Sequence, residues 1–106
     1  MAGPEKTVEN QIKAFLDKTD AWYFKVAASP LMPPGIPDII ACIFGKFIGI
    51  EVKAPGKINN TSLVQKVQHK LIRKAGGQVW VVDSYEMFLR NMHKLKVEVE
   101  DGRTEQ

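Results

Sequence analysis

Two apolar segments separated by only two residues constrain the fold of this chain more than any other feature. The segments are DIIACIF (38–44) and FIGIEVK (47–53), and the Gly45-Lys46 pair between them is a connection of the hairpin type. The sequence therefore predicts two adjacent antiparallel strands in the middle of the chain. Four prolines lie between Ser29 and Asp38, so a loop leads into the first of these strands.

The remaining elements are predicted by apolar periodicity and by the residues that end helices and strands. We expect a helix over 5–18, a strand over 21–28, a helix over 62–75, a strand over 79–83 and a third helix from 84 to about 95. The order is α-β-β-β-α-β-α, and a helix between the third and fourth strands predicts a crossover connection. The expected fold class is therefore α/β or α+β with a mixed central sheet.

The length and composition indicate one folded domain that spans residues 1–106. A hydrophobic share of 44% excludes a disordered chain, and a single cysteine excludes an intrachain disulfide or a multi-cysteine zinc site. Charges throughout the N-terminal segment and short apolar runs argue against a secretory signal or a membrane span. We expect a cytoplasmic protein that is not secreted, with no membrane partner and no small-molecule cofactor.

Three charged residues are predicted to meet at one end of the hairpin. Asp38 opens its first strand, while Glu51 and Lys53 lie near the end of the second, two residues apart and so on one face. Two carboxylates beside an ammonium group are typical of a Mg²⁺ site, in which Lys53 orients a water or stabilises negative charge. The alternative is a surface ion pair. The strongly apolar strands around these charges favour the metal site, because unpaired buried carboxylates are costly.

The second helix carries two glutamines, Gln65 and Gln68, that are candidates to face this site. At 100° per residue, its apolar residues share one face, which we expect to pack on the sheet. The members of this face are Leu63, Val64, Val67, Leu71 and Ala75. Gln68 falls inside the face and Gln65 on its border, so the periodicity leaves both open, together with a solvent-facing position. His69 is expected at the surface, and Cys42 in the buried packing of its strand.

The stretch between Glu51 and Asp83 contains no acidic residue but is rich in lysine and arginine, within a chain whose net charge is +3. Such a basic surface is predicted to follow the phosphates of a nucleic acid. The residues expected to contact DNA are Lys25, Ser29, Lys57, Lys66, Gln68, Lys70 and Arg73. The alternative interpretation of these charges is a solvated helix face.

Four segments together resemble the VRR-NUC family, a branch of the PD-(D/E)XK nuclease superfamily. They are GIPD (35–38), GKFIGIEVKAPGK (45–57), SLVQ (62–65) and KAGG (74–77). The resemblance extends from Glu9 to about Ser84 and is to stand-alone members of the virus or phage type. It implies a restriction-endonuclease-like α-β-β-β-α-β core. It also implies an endodeoxyribonuclease that depends on Mg²⁺ or Mn²⁺ and, if virus-encoded, acts in the cytoplasm of the host cell.

The resemblance also implies roles for individual residues. Metal binding is implied for Asp38, Glu51 and the carbonyl of Val52, and catalysis for Lys53 together with Gln65, which stands eleven residues before a glycine as in the family pattern. Glu9 matches the acid of the family's E-x-x-I pattern and is expected to bind the metal directly or through water. The alternative for Glu9 is an exposed acid paired with Lys13 at i, i+4.

The function expected from these features is cleavage of DNA, selective for branched or four-way-junction (Holliday junction) structures rather than for a long base sequence. One alternative is a DNA-binding module whose nuclease fold no longer cuts. Another is an RNA- or protein-binding domain in which the motif is coincidental. Large apolar residues flanking the core predict a homodimer, whose two sites would cut two strands. These residues are Trp22, Tyr23, Phe24, Phe88 and Met92; the alternative is that they complete the core.

Overall fold

The computed structural model describes residues 3–104, with side chains over residues 3–102. Three helices and four strands follow the expected order. The helices are α1 (Pro4–Asp17), α2 (Leu63–Lys74) and α3 (Tyr85–Thr104), and the strands are β1 (Trp22–Lys25), β2 (Ile39–Ile43), β3 (Lys46–Val52) and β4 (Gln78–Val82). The expected α/β class and the α-β-β-β-α-β-α order are confirmed.

The four strands form one mixed sheet in the order β1-β2-β3-β4. β1 pairs with β2 and β2 with β3 in antiparallel fashion, whereas β3 and β4 are parallel. A parallel pair requires a crossover connection, and α2 provides it. The turn between β2 and β3 consists of Phe44 and Gly45, one residue earlier than the expected Gly45-Lys46 connection, because Ile43 pairs with Lys46. Both turn residues have positive φ, of 52° and 77°, the backbone twist that suits a two-residue hairpin.

The core lies on the face of the sheet that α1 and α3 cover. Alternate residues of β3 point into it, because successive side chains of a strand face opposite sides. The buried members are Val8, Ile12 and Leu16 of α1, Ile39, Ala41 and Ile43 of β2, Ile48, Ile50 and Val52 of β3, Trp80 and Val82 of β4, and Phe88, Met92 and Leu95 of α3. The other residues of β3, Gly49 and Glu51, therefore face α2.

The helix α2 packs on the sheet with a polar face, which differs from the sequence expectation. Its apolar face is exposed, with Val67 at 51% and Leu71 at 55% of their full accessible surface, whereas His69 is buried. Two glycines allow this orientation: a Cβ at Gly49 or Gly77 would stand within 4 Å of the Ile72 side chain. Close contact at Ile72 thus fixes the helix with its apolar side outward. The expectation of a surface position for His69 is wrong.

Two further expectations are corrected by the packing. Cys42 is exposed rather than buried, because it occupies the face of β2 opposite to the core residues Ala41 and Ile43. Phe88 and Met92 are buried in the core rather than available to a partner.

The helix α3 also differs from expectation, because it continues to Thr104 instead of fraying after Leu95. Val99 packs against the core one turn beyond Leu95, and this contact supports the extra turns. No helix among residues 3–104 is long and apolar enough to cross a lipid bilayer.

Candidate active site

Asp38 and Glu51 lie side by side where β2 begins and β3 ends. The antiparallel register pairs Ile39 with Ile50, so the preceding and following residues, Asp38 and Glu51, stand opposite each other. One carboxylate oxygen of Asp38, Oδ2, accepts a hydrogen bond of 2.8 Å from the backbone N–H of Val52. This bond holds the carboxylate against the end of β3.

Glu51 is almost completely buried, with 1% of its surface exposed. Burial and the neighbouring Asp38 carboxylate raise the pKa of Glu51 to about 8, because both disfavour a second negative charge at this place. A divalent cation between the two carboxylates would remove this penalty. The Oε1 atom of Glu51 lies 3.2 Å from Nε2 of His69, which is itself buried.

Lys53 projects from the same face of β3 as Glu51 and is held by the start of α2. Its Nζ donates hydrogen bonds to Oε1 of Gln65 at 2.8 Å and to the backbone carbonyl of Asn60 at 3.3 Å. Gln65 is fixed in turn by a capping box with Ser62, the N-cap of α2. Of the two candidate glutamines, Gln65 is therefore the one that contacts Lys53.

Glu9 lies at a neighbouring cluster of lysines. Its carboxylate is within 2.7 Å of the Nζ atoms of Lys6 and Lys25 and within 3.2 Å of that of Lys13. Burial by itself would raise the pKa of Glu9, but hydrogen bonds from these three lysines bring it down to about 2. Lys25 also lies 3.9 Å from Oδ1 of Asp38. Glu9 is thus connected to the carboxylate pair through an ammonium group, and the alternative pairing with Lys13 is present as well.

The residues around Asp38 and Glu51 fit a hard divalent cation. Carboxylate and backbone oxygens are the preferred protein ligands of Mg²⁺, which usually retains several waters. Among residues 3–104, no group of three or more His, Cys, Asp and Glu side chains is placed to hold a metal ion. The carboxylate pair would therefore need a backbone oxygen and water to complete the coordination, which is how Mg²⁺ commonly binds.

A depression of about 640 Å³ opens beside the carboxylates, between the end of β1 and the proline loop. Lys25, Ser29 and Asp38 are among the residues that line it. The remaining cations predicted to contact DNA are exposed: Lys57 on the loop before α2, and Lys66, Lys70 and Arg73 along α2. Gln68 is half-buried on the same helix. The basic residues of α2 and the depression thus flank the carboxylates on separate elements.

Comparisons with known proteins bear on the fold of the chain. No protein-family model matches the sequence, and no curated protein matches it. A solved structure described as a VRR_NUC domain superposes with a TM-score of 0.70 at 24% sequence identity, over 87% of this chain and 97% of that chain. The chain has the fold of a VRR_NUC domain. The resemblance predicted from the sequence motifs is therefore confirmed at the level of the fold.

The register of β2 and β3 places Asp38 and Glu51 at one end of the sheet, but His69 was not among the residues singled out from the sequence. A lone histidine in a basic helix gives no metal-type spacing with His93, the other histidine of the chain. One signal was available: His69 follows Gln65 at i+4, so the two share a face of α2. Once Gln65 is assigned to the site, His69 must lie one turn further along the same face.

Proposed function

We propose that this chain is a divalent-metal-dependent DNA endonuclease of the VRR-NUC type. The observation that carries the proposal is the buried Glu51 beside Asp38, with the Lys53 ammonium on the same face of β3. A binding module has no need for two carboxylates near phosphates, since they repel the ligand. Their retention in a basic protein favours catalysis over simple DNA binding.

Each residue of the site has a distinct role in this proposal. Asp38, Glu51 and the Val52 carbonyl would hold Mg²⁺ or Mn²⁺, which when bound activates water and stabilises charge on the phosphate. Lys53 stabilises the developing negative charge or orients the attacking water. Gln65 keeps Lys53 in place through its 2.8 Å hydrogen bond. Glu9 would not touch the metal directly. It would influence the metal through a bound water and through the ammonium group of Lys25.

The proposal is tested by removing the charges of the site one at a time. Asp38→Asn and Glu51→Gln should each lower cleavage of plasmid and junction DNA at least 100-fold, because each removes a metal ligand. Binding of DNA without a divalent cation should be retained or strengthened, since an acid near phosphates is lost. Lys53→Ala should be equally inactive yet still bind the metal.

Asp20→Asn is the matched control, because Asp20 is exposed in the connection between α1 and β1. Its activity should equal that of the wild type. Full activity in either Asp38→Asn or Glu51→Gln would remove that residue from the site. Binding without any cleavage by the wild-type protein, on every DNA and with either metal, would favour the DNA-binding module instead.

We propose that the DNA lies across the depression next to Asp38 and along the basic side of α2. Replacing Lys66, Lys70 and Arg73 by glutamine should lower the affinity and reduce the slope of log K against log[salt] by about 2 to 3, since fewer counterions are released. The matched control neutralises Lys18, Lys46 and Lys96, which are exposed on other elements. An equal change in both triple variants would show that the DNA lies elsewhere.

The substrate class follows from what surrounds the site. The exposed cations near the site are Lys57, Lys66, Lys70 and Arg73, and such side chains are suited to phosphates rather than base edges. We therefore propose selectivity for DNA structure, in branched or four-way-junction substrates. Competition between a junction and a duplex of the same sequence checks this selectivity.

We further propose that the protein acts as a homodimer through exposed apolar side chains of β1, β3 and α2. This surface, the open face, consists of the exposed side chains of Trp22, Phe24, Phe47, Val67 and Leu71. Together they expose on the order of 500 Å² of apolar area, which is close to the apolar share of the roughly 800 Å² that each partner buries in a standard interface. Tyr23, expected in the interface, instead contacts α1 through its hydroxyl.

A further inference from the structure

Two hydrogen bonds link α2 to β3 in a matched pair. Gln65 contacts Lys53, and His69 contacts Glu51. The order of partners is reversed along the two elements, so α2 runs opposite to β3. Residues i and i+4 of a helix are about 6.0 Å apart along its axis, and residues i and i+2 of a strand about 6.6 Å. Because these two spacings are similar, one face of α2 contacts the side chains of Glu51 and Lys53 at once.

The contact between His69 and Glu51 is shielded from solvent, with 3% and 1% of the two residues exposed. Nε2 of His69 and Oε1 of Glu51 are 3.2 Å apart, which is a hydrogen-bond distance, and the tautomer of the imidazole decides which of the two atoms donates. Ligating carboxylates are commonly oriented by hydrogen bonds of this kind from groups that do not touch the metal.

We propose that His69 is a positioning residue of the metal site, which acts by donating Nε2–H to Oε1 of Glu51. The hydrogen bond fixes the rotamer of the Glu51 carboxylate, which would hold a divalent cation together with Asp38. It also provides a partner for Oε1 of Glu51, which would otherwise be buried without one. This inference rests on the proposed function of the carboxylate pair as a metal site.

The first test is metal binding by variants of His69, measured by calorimetry with Mn²⁺ in the absence of DNA. His69→Leu fills the space without a donor and should weaken binding about 10- to 100-fold, as loss of such an orienting contact does in other metal sites. His69→Gln places an amide N–H near the position of Nε2 and should bind within about threefold of the wild type. His93→Leu, on the exposed side of α3, is the matched control and should bind as the wild type does.

The second test observes the hydrogen bond directly. The variant His93→Gln leaves His69 as the single histidine of the chain, so its imidazole nitrogens can be assigned without ambiguity by ¹⁵N NMR. In the Mg²⁺-bound protein we expect the neutral tautomer with the proton on Nε2. Addition of Mg²⁺ should shift the ¹⁵N signals, and the shift should disappear when Asp38→Asn is added. A proton on Nδ1 in the presence of Mg²⁺, or signals that do not respond to Mg²⁺, would overturn the proposal.

Kinetics separate positioning from folding. In His69→Leu, kcat for DNA cleavage should fall while KM for DNA stays within about twofold, and excess metal should restore part of the rate. If His69→Leu does not fold, His69→Gln provides the test. The proposal requires His69→Gln to bind the metal as tightly as the wild type does, and a 10-fold loss of metal affinity in this variant contradicts it. If metal binding depends on His69 but the protein cuts no DNA, the proposed function is refuted and this inference stands. If metal binding does not change when His69 is replaced, only this inference is refuted.

Discussion

At the scale of single residues, the site contains a buried acid that forms no ion pair with a lysine or arginine among the described residues. Glu51 shares a hydrogen bond with His69 and lies against the second carboxylate, Asp38. Glu9 shows the opposite arrangement, since three lysines surround its carboxylate. Two buried glutamates in one small domain thus have pKa values displaced in opposite directions, to about 8 and about 2. The three lysines keep Glu9 charged, whereas burial and Asp38 favour the protonated form of Glu51 in the metal-free protein.

These displacements predict how stability depends on pH in the metal-free protein. For Glu51, the folded protein keeps a proton that the unfolded chain has released between pH 4.5 and about 8. The free energy of unfolding should therefore fall as the pH rises through this window, by up to about 1.4 kcal/mol per pH unit. For Glu9 the sign is reversed: its contribution is present above pH 4.5 and is lost as the pH falls through about 2.

Thermal unfolding in EDTA between pH 5 and 9 measures the effect of Glu51. Glu51→Gln should abolish the decline toward high pH, and excess Mg²⁺ should counteract it in the wild type, because the cation takes the place of the proton. The same decline in Glu51→Gln as in the wild type would assign it to other groups. Asp20→Asn again serves as the control, with an unchanged pH profile.

At the scale of elements, the site depends on how closely the proline loop approaches α2. Gly35, the glycine of the GIPD segment, has a φ of 83°, and a Cβ there would lie 2.5 Å from the carbonyl oxygen of Val64. Only glycine fits both conditions, because an added Cβ would be strained and would collide with backbone. The glycine before the Pro-Asp pair thus has a packing role: it lets the strand that begins with Asp38 and the helix that carries Gln65 meet.

The close approach at Gly35 is tested against a glycine that has the same backbone conformation but open space. Gly35→Ala should destabilise the protein by about 3 kcal/mol and lower Tm by more than 10 °C, since it adds a collision to the strain. Gly56→Ala, where φ is 80° and no atom lies within 4 Å, should cost only about 1 kcal/mol. Equal losses measured by thermal unfolding would show that the contact with Val64 does not matter.

The elements also show what the sequence predicts and what it does not. The period of two along β3 and a short turn near Gly45 brought Asp38, Glu51 and Lys53 to one end of the hairpin, although the turn lies one residue earlier than expected. The orientation of α2 was not predictable in this way. Its apolar periodicity indicated that Leu71 faces the sheet, yet Ile72 and His69 do so, since glycines on β3 and before β4 let Ile72 approach. The orientation of a helix on a sheet depends on long-range contacts, which the apolar periodicity of the helix sequence does not reveal.

At the scale of the whole molecule, the sheet is covered unequally. α1 and α3 enclose one face, whereas on the other face α2 covers the β3–β4 side and leaves β1 and β2 open. Trp22 remains 63% exposed and stacks edge-on against Phe24, with ring centroids 5.6 Å apart. Large exposed apolar side chains of this kind are typical of interaction sites. β1 is an edge strand, so a second copy related by a twofold axis could cover it without disturbing the carboxylate end.

The homodimer proposed above is therefore tested through its open face. Light scattering at micromolar concentration should give twice the chain mass of 11.9 kDa, because the open face is large enough for a stable C₂ interface. Trp22→Glu combined with Leu71→Glu should give monomers, since it introduces charge into the centre of the interface. Val97→Glu, on the solvent side of α3, is the matched control and should remain dimeric. The monomeric variant should still nick DNA but lose paired cuts in a junction; a wild-type monomer that makes paired cuts would refute the dimer and leave sequential nicking.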